Sequence, residues 1–353
     1  MADVARKAGV SAMTVSRALK DDQSVSAKTR TRIMKVIEEL GYVLDLSAGA
    51  LSSKRTGFVS VLIPSINNSN FSETMHAISS VMETADLHVL IGYSDYSVQR
   101  EEVLIETMLR RRPEGIILTG GFHTPKGRRM LERADIPVIE TWDLPPDPVR
   151  HVVGFSNAET IVSLMRRLYE RGYQKIGFIC GEPPSDARGM DRKRGYLQAV
   201  DELGLARAHV VFTGQAPISI KDGAEGIVRM IEEWPDVEAV ICVSDLVAFG
   251  AMTECLRRGW DVPGRLAIAG FGDFEISRFA WPSLTTVSVG CAEIGRRAGE
   301  LMLEAIKHNR DGSTLPVEIQ QVPYEVVERQ STGTQDAPPK APSGKKAKKQ
   351  KNT

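Results

Sequence analysis

The rhythm of the chain changes at Gly57, and this feature constrains the fold most. From there, short apolar runs alternate with amphipathic stretches almost to the C-terminus. The runs are GFVSVLIP (57–64), LHVLIGY (87–93), EGIILTG (114–120), PVIETW (137–142), KIGFICG (175–181), HVVFTG (209–214), EAVICVS (238–244) and LAIAGFG (266–272). Helical spacing lies between or after them at 72–85, 98–111, 158–171, 192–203, 222–234, 246–258 and 292–308. Parallel strands need a long crossover, and a helix supplies one while burying its own apolar face, so the order predicts parallel sheets covered on both sides. Residues 57–330 are too many for one ordinary core. Two doubly wound parallel-sheet lobes are expected, lobe 1 about 57–155 and 286–315, lobe 2 about 156–285 and 316–330, with HVVGFSN (151–157) as a crossover.

Residues 1–42 read differently, as an all-α head of three short helices. ADVARKA (2–8) is followed by the break Gly9-Val10-Ser11, then AMTVSRALK (12–20). A helix-turn-helix needs a small residue where its helices cross and glycine at the tight turn, and Ala5 and Gly9 stand four apart. Val10, Val15 and Ala18 form an inner face, leaving Ala12, Met13, Ser16 and Arg17 outward. The third helix starts from Ser26 as N-cap, carries Ile33, Val36, Ile37 and Leu40 at helical spacing, and stops at Gly41. Residues 43–56 read as a linker with weak helical character. Residues 331–353, rich in Pro, Ser, Gly and Lys, are expected to be disordered.

Charge follows this division. The net charge is zero, yet the chain through Thr56 carries about +4 and the tail about +5, leaving about −9 on the body. A basic head on an acidic body points to one end meeting a polyanion. No run is long enough to span a membrane and no signal peptide is evident, so a cytoplasmic protein without membrane contact is expected. Cys180, Cys242, Cys255 and Cys291 are scattered in apolar stretches, which predicts buried thiols rather than metal ligands. No phosphate-loop, dinucleotide or zinc-protease motif is present, and no nucleophile elbow accompanies His123, so neither catalysis nor a cofactor is expected.

The segment DVARKAGVSAMTVSRALKDDQSVSAKTRTRIMKVIEELGYV resembles the DNA-binding head of the lactose-repressor (LacI/GalR) family. The likeness continues through ILTGGFHTP, VVGFSNAE, YERGYQKIGFICG, KRGYLQAVDELG, SDLVAFGAM and LAIAGFGD. MTVSR, FHTPKGRRMLE and IPVIETWD further resemble the gluconate-operon repressor subgroup.

The resemblance implies a homodimer or tetramer reading a pseudo-palindromic operator. Ala12, Met13 and Arg17 would face base edges, while Ser11, Thr14, Ser16, Ser26 and Thr29 would bond phosphates. In the linker, Ala48 and Leu51 would contact DNA, with Leu51 as a minor-groove wedge. An effector would lie between the lobes against Phe71, Phe155, Arg192, Ser244, Asp245 and Asp273. Many sugar-binding relatives carry Asp directly after the aromatic of the GF/GY segment; here Gly272 stands there, which suits an anionic effector such as gluconate or a related sugar acid. A corepressor or a neutral or phosphorylated sugar is the alternative within the family, and a sugar-binding protein without a DNA role the distant one.

Overall fold

The computed structural model describes residues 1–19, 23–42, 56–183 and 186–333. Two compact units emerge, Met1–Thr56 and Gly57–Thr353.

In the first unit, helices α1 (Ala2–Ala8), α2 (Ala12–Leu19) and α3 (Ala27–Leu40) surround a small core of Val4, Ala5, Ala8, Val15, Ala18, Val25, Ile33 and Val36. Gly9 turns the chain with φ 64°, a left-handed conformation that costs other residues about 1–2 kcal/mol. Ser26 caps α3 by accepting the Thr29 amide at 3.3 Å. Leu40, expected to face inward, is 42% exposed, because two helices this short cover only part of α3.

The body is built on two sheets. The first holds β1 (Phe58–Ile63), β2 (His88–Tyr93), β3 (Ile116–Thr119), β4 (Val138–Thr141) and β5 (His151–Gly154). The second holds β6 (Ile176–Cys180), β7 (Val210–Phe212), β8 (Ala239–Cys242) and β9 (Ala267–Ala269), in the parallel order β7–β6–β8–β9. A short antiparallel ribbon joins β10 (Thr286–Ser288) to β12 (Glu325–Val327). Between them in sequence, β11 (Ile319–Gln321) returns to pair with β5, giving a six-stranded parallel sheet β11–β5–β4–β3–β1–β2. Ile319–Gln321 therefore belong to the first lobe, not the second. Three polar-flanked residues carry no period from which this return is readable.

Helices α4 (Ser69–Glu83), α5 (Val98–Arg110) and α6 (Pro125–Glu132) accompany the first sheet, and α7 (Asn157–Glu170), α8 (Ala187–Glu202), α9 (Ile220–Glu233), α10 (Asp245–Arg257) and the short α11 (Glu275–Phe279) the second. The long α12 (Cys291–Arg310) packs back on α4 through Gly295 and Gly299, where a Cβ would strike Thr74 O and the Val81 side chain. Neither α6 nor α11 is expected from the sequence: the first is charged, the second five residues long. α8 starts five residues before its expected beginning, since ARGMD has no apolar period.

The C-terminal boundary also moves. Ser331 and Thr332, expected to be disordered, are buried in a 3-10 turn, where Ser331 Oγ donates to Ile268 O at 2.6 Å and accepts from Thr285 N at 2.9 Å. Small hydroxyl side chains look like linker by composition, yet here they satisfy buried backbone groups. The rest of that tail, and the linker residues Ala48 and Leu51, lie outside the described residues.

Candidate functional site

On the head, α2 turns Ala12, Met13 and Arg17 outward, with Met13 64% exposed. Ser16 is half-buried. Ser11 accepts the Thr14 amide at 3.1 Å and lies 2.9 Å from its hydroxyl, and Ser26 and Thr29 repeat the arrangement at α3. Both helix starts thus present capped amide ends of positive potential, suited to anionic groups.

In the body, the carboxyl ends of both sheets converge on a cavity of about 480 Å³. This is the expected ligand position in open α/β folds, outside the strand ends where strand order reverses. Trp142 follows β4, Val243 and Ser244 follow β8, and Phe271 and Gly272 follow β9. From the helices come Phe71 on α4 and, one turn apart on α8, Arg188 and Arg192.

The aromatic rings form a continuous floor. Phe71 meets Trp142 edge-on at 5.1 Å, Trp142 meets Phe155 at 6.0 Å, and Phe155 meets Phe271 at 6.1 Å. Phe155 is fully buried beneath this row and does not line the cavity, so its expected contact with an effector is replaced by support. Trp142 has φ 68°, which for a bulky residue costs on the order of 1–3 kcal/mol and persists only where surroundings hold it.

The two arginines differ. Arg192 lies 3.8 Å over Phe271, donates from Nε to Asn157 Oδ1 at 3.0 Å and from Nη1 to Val243 O at 2.7 Å. Burial pulls its guanidinium down to about 10, still charged at neutral pH. Arg188 is sandwiched against Phe71 and Tyr96, 5.2 and 5.9 Å from their ring centres. Its Nε lies 4.0 Å from Asp186 Oδ1, while its Nη1 is buried without a hydrogen-bond partner, as is Trp142 Nε1. Buried donors without acceptors within the chain are rare in folded proteins and call for a partner such as water or a ligand. Neither residue is among the sequence expectations. An orphan donor emerges only from packing; the positional signal was Arg188 lying one helical turn before Arg192.

Two further expectations are corrected. Asp245 is fully buried and accepts from Phe274 N at 2.8 Å and from Ser277 Oγ and Thr286 Oγ1 at 2.6 Å each; burial pushes its carboxyl up to about 6. It holds the segment after β9 and does not line the cavity. Asp273 is taken by Arg329 at 2.6 Å and Arg278 at 3.1 Å, again away from the cavity. Ser244 does line it, as the N-cap of α10. Gly272 has φ 121°, and a Cβ there would sit 2.6 Å from the Phe274 ring. Its lack of a side chain is thus demanded by backbone and packing, and says nothing of ligand charge.

Residues 1–45 match the lacI family of bacterial regulatory proteins, and residues 165–332 a periplasmic binding protein-like domain. The HTH-type transcriptional regulator GntR of Pseudomonas aeruginosa is 35% identical over 332 residues, covering 94% of each chain. The chain belongs to the lacI family. The HTH-type transcriptional regulator GntR of Escherichia coli is 32% identical over 305 residues, 86% of this chain and 91% of that one. A lacI-family regulator from Silicibacter pomeroyi, known from its crystal structure, superimposes with a TM-score of 0.85 at 31% identity, covering 94% of this chain and 98% of that one. As a lacI-family transcriptional repressor the protein is a regulator and not an enzyme, and the two units are those of this family. No described helix is long and apolar enough to cross a membrane.

Proposed function

We propose that this repressor is released from its operator by a sugar acid, gluconate or a close relative, bound in the body cavity. The observation that supports it is the pair Arg188 and Arg192, both buried on one cavity wall. Asp186, 4.0 Å from Arg188 Nε, offsets one of the two charges, and a ligand carboxylate would offset the other. The 480 Å³ space, lined also by Asn67, Asn68 and Ser65, has room for a six-carbon chain and acceptors and donors for its hydroxyls.

On the head, Arg17 would donate to guanine and Met13 pack on a thymine methyl beside Ala12, with Ser11, Thr14, Ser16, Ser26 and Thr29 on phosphates. Two heads on a two-fold axis would read a pseudo-palindromic operator, so the working form is a homodimer, or a tetramer built from two.

The test combines titration calorimetry with operator anisotropy. Gluconate is expected to bind at least tenfold more tightly than glucose and to weaken operator binding. Glucose binding better than gluconate would overturn the sugar-acid reading; tighter operator binding with gluconate would make it a corepressor.

A further inference from the structure

We infer that the body holds a second ligand site, for a small phosphate-type oxyanion, at the amino ends of β4 and β5. It lies on the opposite rim of the first sheet from the effector cavity, and its donors are the Arg150 guanidinium and the Nε2–H of His151.

A pocket of about 130 Å³ lies there, lined by Pro137 ahead of β4, Arg150 and His151 at the start of β5, Asn309 at the end of α12 and Thr314 beyond it. A water takes about 30 Å³, so the space holds a few waters or one small oxyanion. His151 is 1% exposed. Its Nδ1 accepts the Glu318 amide at 3.2 Å, so that nitrogen carries no proton. Burial and the nearby Arg150 charge outweigh the pull of Glu318 and hold the ring below its usual range, which leaves it neutral at pH 7. A neutral imidazole has one N–H, and here it stands on Nε2. No described residue accepts that proton, and the ring lines the pocket.

Arg150 adds the charge. It is half-buried, yet among the described residues it has neither an acidic partner nor a hydrogen bond, and its charge is close enough to His151 to depress that ring. A guanidinium beside an unmet N–H suits an anion, because charge-assisted bonds are about twice as strong as neutral ones. Little opposes it. Asp135 is the one carboxylate among the lining residues and is exposed; Glu318 accepts from Gln320 Nε2 at 2.9 Å and does not line the pocket. The last carbonyls of α12 would repel an anion, but those of Lys307, His308 and Asn309 accept from the amides of Asp311, Ser313 and Gly312. The pocket also adjoins the start of the body. Arg310, next to Asn309, pairs with Glu114, and Glu114 accepts the Gly57 amide at 2.9 Å. An anion that steadies the end of α12 thereby steadies the point where the body begins, and so acts on operator binding.

The experiment uses the full chain at constant ionic strength in a buffer free of other oxyanions. Inorganic phosphate and glycerol 3-phosphate are the probes, and the tighter of the two tells a free ion from the phosphate group of a metabolite. Calorimetry reads affinity, and operator anisotropy reads the coupling. Arg150→Gln removes the charge. His151→Asn keeps an acceptor for the Glu318 amide and withdraws the Nε2 donor. Each is expected to weaken the tighter probe about ten- to a hundredfold, with the melting temperature near that of wild type. Asp135→Asn should strengthen binding, and Arg188→Gln, in the effector cavity, should leave it unchanged. Affinity that falls with Arg188→Gln and not with Arg150→Gln would place the anion between the lobes and overturn the site. A wild type that binds neither probe, or binding lost in Asp135→Asn, would overturn it too. Phosphate that shifts operator affinity in wild type and not in Arg150→Gln supports the coupling; no shift in wild type overturns the coupling. None of these outcomes depends on gluconate being the effector.

Discussion

Single residues carry meaning here mainly through what they have left unsatisfied. Arg192 and Arg188 share a residue type and a helix face, yet Arg192 donates to Asn157 and Val243 while Arg188 has Asp186 at 4.0 Å and a buried Nη1 without an acceptor. On the head the residue proposed to read bases is Arg17, exposed on α2. Arg17→Ala is expected to weaken operator binding by about 1–3 kcal/mol while binding to random duplex at low salt changes far less. Fluorescence anisotropy on both duplexes separates the two; equal losses would reduce Arg17 to a phosphate contact. Ser11 and Ser26 each accept the amide of the residue three places on, Thr14 and Thr29. The Ser26 cap was legible from the sequence, because caps obey local rules; the matching bond at Ser11 emerged from the structure.

At the scale of elements, most strands and helices announce themselves by period, and those that do not are held by neighbours. The loop after β3 is the best example. It contributes His123, whose imidazole lies between Glu101 of α5 at 2.6 Å and Glu140 of β4 at 3.2 Å, with its side chain 1% exposed. Burial alone would lower this imidazole, but the hydrogen bonds and charges of the two carboxylates raise it to about 9. The folded value lies above the unfolded 6.5, so the triad's contribution is full below about pH 6.5 and is lost as pH rises through 9. Urea unfolding at pH 6.5, 8 and 9.5 should therefore show falling stability in wild type, by on the order of a few kcal/mol, and a flatter profile in His123→Gln. Identical slopes would mean that the triad is not charged as described. A histidine in a strand-end loop was visible in the sequence; its two carboxylate partners, 22 and 17 residues away, were not.

For the whole molecule, the operator reading demands two heads, and hence a second copy of the chain. Phe279 and Trp281, two positions apart, stand 79% and 78% exposed and are the apolar pair offered as part of its contact. Sedimentation velocity should show a species of twice the chain mass, and Phe279→Glu with Trp281→Glu should shift it toward monomer without loss of gluconate binding. A dimer unchanged by both substitutions would place the interface elsewhere. The alternation of strand and helix, the glycine turn of the head and the small residues at its helix crossings follow from periodicity and backbone preference, which act over a few residues, and so the two-lobed parallel architecture and the helix-turn-helix were determined by sequence alone. The return of Ile319–Gln321 to the first sheet, the burial of Ser331 and Thr332, the withdrawal of Phe155, Asp245 and Asp273 from the cavity, and the place of Arg188 and Trp142 in its lining were decided only by the tertiary structure. Each of these depends on which distant groups arrive to satisfy a buried donor or acceptor, and that is a property of packing that no local pattern in the chain encodes.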